Sequence, residues 1–69
     1  MFDITTTMTV RYAVGDQERD VLVLTQGLAL SDHVERLQNA ERPWVTFALP
    51  EGGGIGLRIS AIVALEFPL

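Results

Sequence analysis

Residues 42–69 read RPWVTFALPEGGGIGLRISAIVALEFPL, and this stretch decides the fold. Val45, Phe47 and Leu49 alternate with Trp44, Thr46 and Ala48, the period of a pleated strand with one apolar face. Glu51-Gly52-Gly53-Gly54 follows, and its glycines supply the positive φ that a hairpin reversal needs. Beyond it Ile55, Leu57 and Ile59 alternate with Gly56, Arg58 and Ser60, so the two strands agree on which side faces a core. Ser60-Ala61-Ile62 has room only for a corner or a single 3₁₀ turn. Residues 63–67 then make a last strand that Pro68 stops.

Working back, residues 2–14 alternate again. Phe2, Ile4, Thr6, Met8, Val10, Tyr12 and Val14 fall on one face, and Asp3, Thr5, Thr7, Thr9, Arg11 and Ala13 on the other. Threonine, valine and tyrosine suit a half-buried pleat. Gly15-Asp16-Gln17-Glu18 turns the chain into a second strand over 19–25. There Val21, Leu22, Val23 and Leu24 are apolar without alternation, which calls for cover on both faces from a barrel interior or a neighbouring subunit. After Gln26-Gly27, Leu30, Val34 and Leu37 stand at helical spacing. Ser31 is placed as N-cap, Asp32 and Glu35 sit in the first turn, and Asn39 or Ala40 closes the helix. So short a helix must dock, and the Leu30/Val34/Leu37 stripe is the face expected to do so.

The expectation is a single mostly β domain over residues 1–69, with one short helix in the order β-β-α-β-β-β. Five short antiparallel strands with a tight corner before the last resemble SH3-like or Sm-like small barrels. The helix between the second and third strands suits the SH3-like arrangement and departs from the Sm-like one, where a helix precedes the first strand. A strongly curved open sheet with the helix on one face is the alternative architecture.

The 69 residues carry nine acids, five arginines and no lysine, for a formal charge of −4. Direct binding to nucleic acid or to an anionic membrane is therefore not expected, since both rest on neutralising phosphates. There is no cysteine, which removes disulfides and thiolate metal sites. No apolar run reaches the roughly 18–20 residues that span a bilayer, and the first residues lack the basic and apolar regions of a signal peptide. A soluble cytoplasmic protein is the expectation. With 48% hydrophobic residues and a mean hydropathy of +0.26, the chain holds more apolar surface than so small a core can bury.

Signs of chemistry are sparse. Ser31-Asp32-His33 holds the lone histidine, but neighbours on a helix diverge by about 100° and cannot assemble a triad; a solvent-facing His33 is expected. One histidine and no cysteine make zinc untenable, and Asp16, Glu18 and Asp20 read as a solvated hairpin tip. EGGGIG fits neither phosphate-loop pattern and leads into a strand where those loops open a helix. No cofactor, metal or catalytic residue is expected, and the chain is read as a non-enzyme.

Binding residues are a different matter. Trp44 and Arg58 fall on the face away from the core, flanked by the small Ala48 and Gly56, a composition typical of interface hot spots. The last strand adds Val63, Leu65 and Phe67, apolar on both faces; at a sheet edge it would template another strand. The expected function is a protein-interaction or assembly module, pairing with itself or docking on another protein. One alternative is an acidic decoy of an accessory or phage type, occupying a nucleic-acid-binding site on its partner. Another is a small-ligand domain with a pocket between subunits lined by Trp44, Arg58 and Tyr12.

Overall fold

The computed structural model describes residues 6–67 and contains five strands and one helix in two separate sheets. Strands β1 (Thr7–Val14) and β2 (Gln17–Leu24) form a hairpin, followed by helix α1 (Leu30–Gln38). Strands β3 (Trp44–Ala48) and β4 (Gly54–Arg58) form a second hairpin, and a 3₁₀ turn (Ile59–Ala61) leads into β5 (Ile62–Glu66). The first sheet has the order β2-β1-β5, antiparallel throughout; the second is β3-β4 alone. The barrel does not close: β2 lies near β3, but among the described residues no ladder joins the two sheets. The part of the first-strand reading over residues 2–5, and Pro68 as the stop at the other end of the chain, lie outside the described residues.

The alternations translate directly into packing. Met8, Val10 and Val23 of the first sheet and Val45, Phe47 and Leu57 of the second are buried against one another. Tyr12, Ile55, Ile62, Leu65 and Phe67 pack around this cluster. Gly15 takes φ +64° at the first turn position between Val14 and Gln17, as a two-residue hairpin with a primed turn requires. Strand β5 carries a bulge: Tyr12 pairs with Ile62 but Arg11 with Ala64, which leaves Val63 unopposed and exposed.

The helix is rotated from its expected setting. Leu30 and Val34 face solvent, while His33 and Leu37, at i and i+4, face inward. The start also moves upstream: Ala29 occupies the N-cap position, and its N–H donates to Asp32 Oδ2 at 3.0 Å. Ser31 is thus inside the first turn and exposed, not the cap. The non-alternating 21–24 segment is covered on one face only, with Val23 buried and Leu22 left 56% exposed.

Candidate functional site

The β3-β4 hairpin places Trp44 opposite Arg58, Val45 opposite Leu57, Thr46 opposite Gly56 and Ala48 opposite Gly54. Side chains alternate across a strand, so burial of Val45, Phe47 and Leu57 forces Trp44, Thr46 and Arg58 outward. Trp44 is 55% exposed, and the Arg58 guanidinium lies 5.2 Å from its ring centroid. That is cation–π range, an arrangement worth on the order of 0.5–1 kcal/mol at an exposed site. Gly56 and Ala48 extend the same face with little or no side chain, leaving a low surface beside the stacked pair.

The edge of β3 that is unpaired among the described residues runs along this platform. Ile59 N–H donates to Pro43 O and Leu49 N–H to Gly53 O. Antiparallel alternation therefore turns the backbone groups of Trp44, Thr46 and Ala48 away from β4. Arg36, from the last turn of α1, donates through Nη2 to Thr46 O at 2.9 Å, and its guanidinium stands 5.6 Å from the Phe47 ring centroid. Between this helix end, the following loop and β3 lies a groove of about 460 Å³, lined by Arg36, Arg42, Trp44 and Glu41 among others. A wider depression of about 730 Å³ follows the outer face of α1 past Leu30 and Val34, with no converging charged pair.

The other expected binding residues separate. Val63 is exposed at the bulge, whereas Leu65 and Phe67 pack against the core. Tyr12 also packs there, on the other sheet, and does not join Trp44 and Arg58. Arg36, Arg42 and Thr46 were not singled out by the sequence. Their meeting depends on where the helix ends relative to β3, which no local pattern encodes.

His33 is the main correction. It is 2% exposed rather than solvent-facing, and Nε2 lies 3.1 Å from Thr25 O, which makes it the protonated nitrogen because a carbonyl only accepts. Nδ1 is buried with no partner among the described residues, and the ring lies 6.5 Å from Phe47 and 6.3 Å from Phe67, centroid to centroid. Ser31 is exposed and Asp32 is turned to Ala29 N–H, so neither forms a catalytic set with the buried ring. Among the described residues no group of three or more histidine or acid side chains converges as a metal site would require. On the outer face of the first sheet Arg11 bonds Asp20 at 3.1 Å and approaches Glu66 at 3.8 Å. The Asp20 hydrogen bond and charge, then Glu66, raise the Arg11 pKa above its ordinary value.

No protein-family model matches the chain, and no curated protein or solved structure matches it either. No helix among the described residues is long and apolar enough to cross a membrane.

Proposed function

We propose that the protein is a non-enzymatic assembly module that pairs with a second copy of itself through the outer face of α1. One observation carries the reading: Leu28, Leu30 and Val34 stand 43%, 36% and 40% exposed at the start of the helix and along its outer side. A short amphipathic helix normally turns such residues inward. Here the inward positions are taken by His33 and Leu37, and the apolar set is left for a partner.

Three of the four sheet edges favour a face over a strand as the contact. Arg36 occupies Thr46 O on the β3 edge, and the Val63 bulge interrupts β5. Glu18, Arg19 and Asp20 place charge along β2. All three are devices that discourage edge-to-edge pairing. Completing the burial of Leu28, Leu30 and Val34 is worth roughly 0.6–1.2 kcal/mol per side chain, or about 4–7 kcal/mol for six across a symmetric pair. Association itself costs about 4 kcal/mol or more, so the pairing is weak and rises with protein concentration. The strand order with its 3₁₀ turn before β5 is what supports an SH3-like, open arrangement for the scaffold within this same reading.

Light scattering across a hundredfold concentration range, at low and high salt, tests the proposal. The expected result is a rise from 7.6 kDa toward twice that mass, little affected by salt. Val34→Arg keeps the wild-type circular dichroism spectrum and stays monomeric. A wild-type protein that remains monomeric throughout, or that associates only in a steeply salt-dependent way, overturns pairing through this apolar face.

A further inference from the structure

The five arginines are not evenly spread. Arg11 is engaged by Asp20 and Glu66, whereas Arg36, Arg42 and Arg58 gather around Trp44. Arg36 and Arg42 line the groove beside β3, Trp44 forms one of its walls, and Arg58 stacks on the Trp44 ring. None of these three takes part in an ion pair among the described residues. Glu41 is the single carboxylate lining the groove, so the local balance is positive in a chain whose formal charge is −4.

Each part of the site has a recognisable use. Arg36 is held in place by Thr46 O and the Phe47 ring, which fixes its guanidinium before any ligand arrives and reduces the ordering that binding would require. Guanidinium forks match carboxylate and phosphate oxygens in pairs. The half-exposed Trp44 ring offers a flat apolar surface next to that charge. A volume of about 460 Å³ lies in the range of small-molecule sites rather than of macromolecular interfaces. Strand addition along this edge is obstructed, because Arg36 already occupies the Thr46 carbonyl.

We propose that this groove binds a small anion bearing a flat ring, with its carboxylate or phosphate on Arg36 and Arg42 and its ring against Trp44. The inference is independent of pairing through α1. Trp44 is the only tryptophan, so its fluorescence reports on the site without labelling. Phenyl phosphate and benzoate serve as ring-bearing probes that separate the two acid types. Inorganic phosphate, acetate and benzyl alcohol each carry half of the proposed ligand.

At low ionic strength, at least one ring-bearing anion is expected to give a saturable signal with Kd below about 1 mM. The half-ligands are expected to bind at least tenfold more weakly. Arg42→Gln should weaken the ring-bearing anion at least fivefold with an unchanged melting curve, while Arg19→Gln, on the exposed start of β2, should leave affinity as it was. Absence of a saturable signal for both ring-bearing anions overturns the proposal. So does equal affinity in wild type and Arg42→Gln, or an equal loss in Arg19→Gln, which would reduce the effect to overall charge.

Discussion

Replacing His33 with phenylalanine should leave the protein as stable as it was or make it more stable by about 1 kcal/mol, whereas replacing it with alanine should destabilise it by about 3 kcal/mol. The difference follows from how the ring is held. Removing it altogether leaves a cavity between Phe47 and Phe67, and large-to-small changes of this kind cost on the order of 3–5 kcal/mol for a full aromatic. Imidazole is smaller than phenyl, which sets the figure at the low end. A phenyl ring fills the space and loses the Nε2–H bond to Thr25 O, worth roughly 0.5–1.5 kcal/mol. Thr25 O is not orphaned by that loss, because it also accepts from Leu28 N–H at 3.1 Å. Against the lost bond stands the removal of Nδ1, buried without a partner among the described residues, which costs roughly 1–3 kcal/mol while it is there.

Urea unfolding of wild type, His33→Phe and His33→Ala, followed by Trp44 fluorescence and far-ultraviolet circular dichroism, measures both numbers. A domain of this size has a total stability of roughly 3–10 kcal/mol, so the alanine variant is expected near the edge of folding, and its midpoint is best read with a stabilising osmolyte present. If His33→Phe is destabilised as much as His33→Ala, the reasoning fails. The hydrogen bond to Thr25 would then outweigh the filling of space, and the histidine would be a polar lock on the turn.

Two further predictions concern the backbone. Gln26 has φ +57°, a left-handed conformation that is unfavourable for any residue with a Cβ, so Gln26→Gly should stabilise by about 0.5 kcal/mol once the added chain entropy is subtracted, seen as a melting temperature a few degrees higher. A Cβ on Gly54 would sit 3.1 Å from Phe47 O, whereas one on Gly56 would meet nothing nearer than 4.0 Å. Gly54→Ala should therefore destabilise by about 1–2 kcal/mol and Gly56→Ala should be neutral or slightly stabilising. Chemical denaturation of the pair would show a wrong account of the hairpin as equal effects.

The β3-β4 hairpin was legible in the sequence as two strands that agree on which side is core. Two runs with apolar residues at every second position share one buried face, which puts Trp44 and Arg58 together on the other; the bonds of the turn, Leu49 N–H to Gly53 O and Gly52 N–H to Leu49 O, then set Trp44 directly across from Arg58. The helix was legible as an element but not in its rotation. Leu30, Val34 and Leu37 are apolar by any scale, whereas histidine counts as polar although its ring can be buried once one nitrogen finds a carbonyl. Thr25 supplies that carbonyl from the turn before the helix, a contact eight residues away that periodicity does not register. The bulge in β5 was hidden for a related reason. In Ile62-Val63-Ala64-Leu65 every residue is apolar, so the slip of one residue at Val63 leaves no trace in the alternation.

The helix rotation bears on both candidate surfaces. With His33 and Leu37 turned inward, Arg36 lies beside them on the helix surface at the height of β3, where it reaches Thr46 O and passes over Phe47. With the expected stripe inward instead, the helix would be turned by roughly 50°, about an eighth of a revolution, carrying Arg36 away from the β3 edge and Leu30 and Val34 off the surface. The same rotation thus both exposes the apolar face assigned to self-pairing and positions the arginine that closes the β3 edge and lines the groove beside Trp44. His33→Phe keeps that rotation and should leave both surfaces intact. A His33 substitution that lets the helix turn should weaken pairing and the Trp44 site together, even though His33 touches neither.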